Sequence, residues 1–395
     1  MYTELLNDRS RVFSVPGRRP PRSVRGIAVL CRKDLHLGRE KGNVFIMKIV
    51  VLAGGLSTER AVSLVTGTAA CRALRENGHQ AILVDLFLGI PELPQNPAAL
   101  FDAPDGLCPD AKIESEAPDL AAVRASRGGR GLIGPNVLEI CRMAEIVFLG
   151  LHGMDGEDGR IQATLDLLGI PYTGSGHLAS AMAMDKEMTK RMMDSLGIPT
   201  PEWQILTYRP EDAEKLAQEL PMPCVVKTID GGSSLGVFLP ENREQLRDAL
   251  LEVLKFGSRV LVEKRVYGRE LVQGILGDRY LPAAMTIPAG DKFDYAAKYQ
   301  TGGAQELCPA PITAAEQEML GELGLKLHRG LGLEVYSRAD VILDEQGKPW
   351  FLETNSLPGM TPASFMPKEA AAVGMSYNEL CEEIVRQSMK IKRRA

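Results

Sequence analysis

The stretch Met47-Lys-Ile-Val-Val-Leu-Ala-Gly-Gly-Leu-Ser-Thr-Glu-Arg60 opens on an apolar run of strand length and breaks at two glycines. An amphipathic helix follows through Glu59 to Asn77, stopped by Gly78, and a second apolar run covers Ala81 to Asp85. Strand, helix and strand in that order form a βαβ unit, which requires a parallel sheet. Residues 86–134 are rich in Pro, Asp, Ala and Gly without a firm period. They exceed an ordinary loop and read as an insertion or lid. A helix at 136–144 and a strand at 145–151 continue the alternation.

Further along, Gly156-Glu157-Asp158-Gly159 precedes a helix to Leu168, and Pro171-Tyr-Thr-Gly-Ser-Gly176 reads as a linker. A Met-rich helix is expected over 177–196, with Met182, Met184, Met188, Met192 and Met193 as its core face. Strand signals at 203–208, 222–229 and 259–266 alternate with helices, and the loop Asp230 to Gly236 follows the middle one. Strands at 270–276 and 280–287, a loop at 288–310, a helix to 331 and strands at 334–343 and 349–355 complete the pattern. Asp344-Glu345-Gln346-Gly347 reads as a hairpin turn.

The fold class is therefore α/β (α+β), in serial pieces: a basic extension over 1–46, an N-terminal α/β domain over 47–174, a small central domain over 175–262 and a C-terminal domain over 263–395. Ten Lys/Arg against four Asp/Glu lie in the first 46 residues, whereas the whole chain of 395 carries −5. The basic start thus differs in kind from the acidic body, and it reads as a disordered tail or an upstream extension created by an early start codon. Its apolar patch, Gly26 to Cys31, is too short for a secretory signal. No run approaches the ~18 apolar residues of a membrane span. The seven cysteines are scattered without a CxxC pair, which fits neither a disulfide framework nor a zinc site and suits a reducing cytoplasm.

The strongest chemical constellation is Arg338-Ala339-Asp340 on one strand and Glu353-Thr354-Asn355 on the next. Period-two geometry puts Arg338 and Asp340 on one face, and Glu353 and Asn355 likewise. Two carboxylates and an amide oxygen are hard ligands suited to magnesium bridged to phosphates, and Arg338 beside them can neutralise developing negative charge. A surface salt-bridge ladder has the same composition. The neighbours Val341, Ile342, Phe351 and Leu352 place the hairpin in a core and favour the functional reading.

Other signals are weaker alone. Lys227-Thr-Ile-Asp-Gly-Gly-Ser-Ser-Leu-Gly236 suits either a plain hairpin turn or a phosphate cradle with Lys227 as a point charge. It is not a Walker A loop, because the lysine precedes the glycines. Ser57 or Thr58 is placed to cap the first helix, whose N-terminus suits an anion. The absence of a GxGxxG fingerprint disfavours hydride transfer. His152 follows the C-terminal end of a strand, where open α/β sheets bind ligands, and reads equally as a turn residue. His177 and His328 read as packing or capping residues.

Taken in order, Gly54-Gly55-Leu-Ser-Thr-Glu59-Arg60, Leu151-His152-Gly, Gly156-Glu157-Asp158-Gly159, Pro171-Tyr-Thr-Gly-Ser-Gly176, Met184-Asp185-Lys186, Lys298-Tyr299 and Glu353-Thr-Asn355-Ser-Leu-Pro-Gly-Met-Thr361 resemble the D-alanine–D-alanine ligase family, over about residues 47–390. The resemblance implies an ATP-grasp fold of three domains, with ATP between the central and C-terminal ones. It implies that the carboxylate of one D-alanine attacks the γ-phosphate of ATP, and that the amine of a second D-alanine displaces phosphate from the resulting acyl phosphate.

By residue-for-residue matching, the resemblance makes Asp340, Glu353 and Asn355 ligands for two magnesium ions, or manganese in their place. Lys186, Lys227, Glu263, Lys264, Glu270 and Lys298 become ATP contacts, with Glu270 on the ribose. Glu59 would bind the first ammonium and His152 would lie near that substrate's carboxylate end. Ser233 and Tyr299 would link the closing loops with Glu59. Arg338 and the Gly359 N–H would hold the oxyanion, Ser364 would bind the second carboxylate, and Met360 bears on the choice of second substrate. Two departures stand out: Gly231 replaces the acidic residue often found before Gly-Ser-Ser, and Thr228 replaces the usual proline.

The implied setting is peptidoglycan precursor synthesis in a bacterial cytoplasm by a homodimer, with D-alanine and ATP as its small-molecule partners and neither nucleic acid nor membrane. Retained Tyr299 and Met360 favour D-alanine as second substrate. The alternatives are a ligase of the same fold that joins D-alanine to D-serine or D-lactate, a lapsed ATP-binding protein, and a nucleic-acid binder using the Arg-rich start, which the acidic body disfavours.

Overall fold

In a computed structural model, residues 46–113, 118–128, 131–232, 236–288 and 304–393 are described. The basic extension falls outside them except for Ile46.

The opening stretch forms a parallel sheet. Strands β1 (Lys48–Ala53), β2 (Gln80–Asp85) and β3 (Ile146–Leu149) pair in the order β2-β1-β3. Their near-continuous apolar runs are what a strand covered on both faces needs. Helix Arg60–Glu76 packs on them, and Gly78, at φ 98°, turns the chain after it. Within the irregular stretch expected as an insertion, Pro97–Asp102 forms a 3-10 turn whose Phe101 is buried, and Leu120–Arg127 forms a helix.

The second sheet contains β4 (Trp203–Thr207), β5 (Cys224–Thr228), β6 (Val237–Phe238) and β7 (Arg259–Lys264), in the antiparallel order β4-β7-β5-β6. The third contains β8 (Arg269–Leu276), β9 (Arg279–Tyr280), β10 (Ala284–Pro288), β11 (Ala304–Leu307), β12 (Tyr336–Leu343) and β13 (Pro349–Asn355), in the order β11-β10-β8-β12-β13 with β9 on β8. Among the described residues no helix is long and apolar enough to cross a membrane, and no disulfide forms.

Several expectations are corrected. The Met-rich segment is two helices, His177–Met184 and Lys186–Leu196, because Asp185 adopts an extended conformation and its carboxylate accepts the Met188 N–H as an N-cap. Met193 is buried, but Met188 is exposed and Met184 lines a cleft, so the series is not one core face. The strand expected at 280–287 is broken at Leu281-Pro282-Ala283, since Pro282 has no N–H for the ladder. The loop expected at 288–310 instead contains β11.

The hairpin turn at 344–347 forms: Asp344 Oδ1 accepts the N–H groups of Gln346 and Lys348, and Gly347 takes φ 75°. His328 is a packing residue, buried with Nδ1 2.7 Å from Ser337 Oγ, and burial pushes its pKa down to about 4. His177 neither packs nor caps; it is an exposed partner of Asp166 at 2.9 Å.

Candidate active site

A cleft of about 800 Å³ is lined from all three sheets. Lys227 and Glu263 come from the second sheet, Glu270, Arg338 and Glu353 from the third, and Glu59 and His152 from loops that follow β1 and β3.

The register of β12 against β13 decides the heart of the site. Arg338 pairs with Asn355 and Asp340 with Glu353, so all four side chains share one face. On β12 the alternating residues Ser337, Ala339, Val341 and Leu343 are buried on the other face. Of the apolar neighbours, Val341 and Phe351 are buried, and Val341, Ile342 and Leu352 line the cleft. Arg338 forms a two-pronged pair with Asp340, Nε to Oδ1 at 2.8 Å and Nη2 to Oδ2 at 3.1 Å. The Asn355 amide nitrogen is buried without a hydrogen-bond partner.

Two carboxylates and an amide oxygen on one face fit magnesium, which binds through few protein groups and completes its octahedron with water and phosphate oxygens. Among the described residues no cluster of three or more His, Cys, Asp or Glu could hold a metal alone.

Opposite the hairpin, the loop before helix Arg60–Glu76 is tied down at several points. Arg60 is buried, donates to the Gly55 carbonyl at 2.6 Å and pairs with Asp85 at 2.5 Å. Asp155 accepts the Leu56 N–H. Ser57 was expected, with Thr58, as a helix cap, yet no side chain caps this helix. Ser57 Oγ instead donates to the His152 carbonyl at 2.7 Å and accepts the Glu59 N–H at 3.2 Å. The loop holding Glu59 and the loop holding His152 are thereby one unit.

His152 lines the cleft but its ring serves the protein: Nε2 lies 2.9 Å from Thr66 Oγ1, and the ring also bonds the Leu357 backbone. Burial pushes its pKa down, so the imidazole is neutral.

At the other end, Lys186 Nζ lies 2.9 Å from the Gly231 carbonyl and 3.3 Å from Glu353. Lys227 pairs with Glu263 Oε1, and Lys190 lies 2.6 Å from Glu263 Oε2. Burial acts to raise the Glu263 carboxyl's pKa, but the two ammonium groups outweigh it and hold the pKa low. Lys264 and Glu270 are exposed on the cleft wall.

Gly359 and Ser364 also line the cleft. A Cβ on Gly359 would stand 2.9 Å from Ser364 Oγ, so a larger residue would make that hydroxyl move. Ser364 precedes helix Phe365–Ala372, and its hydroxyl accepts the Thr361 N–H at 3.1 Å. Met360 does not reach the cleft: its side chain is buried in the core of the N-terminal sheet. Ser233, Lys298 and Tyr299 lie outside the described residues.

Comparison with known proteins places this geometry. The family models "D-ala D-ala ligase N-terminus" and "D-ala D-ala ligase C-terminus" match residues 48–175 and 192–386. The chain belongs to the D-alanine–D-alanine ligase family. It is 39% identical to the D-alanine–D-alanine ligase of Pediococcus pentosaceus over 351 residues, covering 87% of this chain and 98% of the relative. It is 38% identical to the ligase of a Synechococcus species, covering 87% and 94%. The crystal structure of the Bacillus anthracis ligase complexed with ATP aligns with TM-score 0.65 at 30% identity, over 88% of this chain and 98% of that one. The VanG D-Ala:D-Ser ligase of Enterococcus faecalis, 24% identical with TM-score 0.66, shares the ATP-grasp fold.

Within this ligase fold, sequence reasoning passed over two buried ionisable residues. Glu157 was seen only as part of a turn motif, yet it lines the cleft and accepts the Gly153 N–H at 3.0 Å. Burial, then the nearby Glu59, push its pKa up to about 8. Lys190 was hidden among the methionines. Its signal was available in the sequence: a lysine four residues after Lys186 falls on the same helix face.

Proposed function

We propose that the chain joins two D-alanines into D-alanyl-D-alanine with ATP, through an acyl phosphate. The observation that carries this reading is the β12–β13 register, which turns Arg338, Asp340, Glu353 and Asn355 together toward a cleft whose far wall holds Glu59.

Asp340, Glu353 and Asn355 would hold magnesium, or manganese, beside the ATP phosphates. Bound there, the metal supplies charge neutralisation and alignment for phosphoryl transfer. Lys186 and Lys227 neutralise phosphate oxygens, and Lys298 joins them. Lys264 joins them on the phosphates, Glu270 holds the ribose, and Glu263 lies beside them among the ATP contacts. Glu59 takes the ammonium of the first D-alanine, whose carboxylate attacks the γ-phosphate and expels ADP.

The second D-alanine docks its carboxylate on Ser364 and the N-terminus of helix Phe365–Ala372. Its amine attacks the acyl carbon, and Arg338 with the Gly359 N–H stabilises the oxyanion before phosphate leaves. His152, whose ring meets Thr66 Oγ1 and the Leu357 backbone, keeps the substrate loop and the 356–360 loop in register and lies near the carboxylate end of the first D-alanine. Ser233 and Tyr299 complete the closure with Glu59, which excludes water from the acyl phosphate.

The same reading takes residues 47–174, 175–262 and 263–395 as three domains of a cytoplasmic homodimer serving peptidoglycan synthesis. D-alanine is the second substrate.

The test is phosphate release with ATP and magnesium, supplied with D-alanine alone or with D-serine or D-lactate, and product identification by mass. D-alanyl-D-alanine from D-alanine alone is expected. A mixed product in preference would assign a different second substrate, and no turnover with any pair would reduce the chain to an ATP binder.

A further inference from the structure

Helix Lys186–Leu196 projects two lysines from one face, and they reach different sheets. Lys186 meets Glu353 on β13, while Lys190 meets Glu263 on β7. Lys190 is fully buried and takes no part in the cleft wall. It also donates to Thr200 Oγ1 at 2.7 Å, and that hydroxyl donates to the Phe351 carbonyl of β13 at 2.8 Å. A continuous polar chain therefore runs from Glu263 through Lys190 and Thr200 to the strand that carries Glu353 and Asn355.

Two ammonium groups share one buried carboxylate here, and only one of them can leave. Lys227 lines the cleft, where Asp340 and Glu353 also act on it. If Lys227 were the sole partner of Glu263, moving it to a phosphate would strand a buried carboxylate, a change that strongly destabilises proteins. Lys190 removes that obstacle, because it has no path to the nucleotide and stays with Glu263.

We propose that Lys190 is a positioning residue for nucleotide binding: it keeps Glu263 a carboxylate while Lys227 turns from Glu263 to an ATP phosphate. Through Thr200 it also fixes Glu263 relative to the metal-binding strand. The inference rests on the ATP-cleft reading given above.

The test is calorimetric ATP binding to the full chain at fixed magnesium, comparing Lys190→Met with wild type from about pH 9 down to about pH 6. The ratio of the two cancels the nucleotide's own titration. Without Lys190, Lys227 is held by Glu263 and burial lifts the Glu263 carboxyl's pKa. Binding should weaken about tenfold or more at about pH 9 and recover toward wild type as protonation of Glu263 frees Lys227. Lys190→Arg should restore most of the affinity. Adding Lys190→Met to Glu263→Gln should cost nothing beyond Glu263→Gln alone.

Wild-type affinity in Lys190→Met, or a loss independent of pH and additive with Glu263→Gln, overturns the proposal. Should Lys190→Met not fold, the double variant against Glu263→Gln decides it alone: equal affinity supports it and a further loss overturns it. Failure of the wild type itself to bind ATP is a separate result that removes the ATP-cleft reading and the proposal with it.

Discussion

The β12–β13 hairpin and the Lys190–Glu263–Lys227 group each gather charges beside the same cleft, but they are solvated very differently. Side chains of Arg338, Asp340 and Glu353 are 19%, 23% and 29% exposed, against 0%, 2% and 9% for Lys190, Glu263 and Lys227. The hairpin charges keep part of their hydration and can exchange water for a ligand. The buried group has already exchanged water for its own ion pairs, so its members support one another and only Lys227 has an exit. The difference separates charges that can take up a ligand from charges that already neutralise one another.

The comparison can be broken in order of effect. Glu263→Gln removes the carboxylate that pairs with both buried ammonium groups and should cost about 3–5 kcal/mol of stability, read as a fall in denaturation midpoint. Arg338→Ala should lower turnover about 100- to 1,000-fold, with ATP affinity and thermal midpoint much less affected. If Arg338→Ala destabilised as much as Glu263→Gln, the contrast between the two regions would be wrong. Glu353→Gln should raise the magnesium concentration for half-maximal activity about tenfold, the change expected when one metal-directed interaction is lost.

Glu157 sharpens the comparison, since it is buried yet belongs to the cleft. Its folded pKa, pushed up to about 8 from the ordinary 4.5, lies above its unfolded value. Its contribution to stability is therefore intact below about pH 4.5 and is lost as pH rises toward about 8. Thermal midpoints of the ligand-free wild type should fall relative to Glu157→Gln across that window. Parallel curves would show that Glu157 ionises as freely in the folded chain as in the unfolded one.

Much of the fold was legible because the signals are local. The apolar run 48–53, Gly78 and the Asp344–Gly347 turn each specify their structure within a few residues. Local rules also explain the corrections in retrospect: Asp185 splits a helix by capping its second half, and Pro282 breaks a strand by lacking a donor. Both are short-range effects that the longer apolar periodicity concealed.

The sequence by itself determined the element order, the acidic body, the two strand motifs Arg338–Asp340 and Glu353–Asn355, and the family resemblance. Periodicity could pair Arg338 with Asp340 and Glu353 with Asn355, but it could not say whether the two pairs face the same way. A shift of one residue in register turns a strand's side chains to the opposite face. Only the tertiary structure fixed that register, turned Met360 into the core, gave the His152 nitrogens to Thr66 and Leu357, and brought Lys190 to Glu263. The physical reason is common to all four: a side chain's environment is set by contacts between residues far apart in the chain, whereas composition and spacing report only on neighbours.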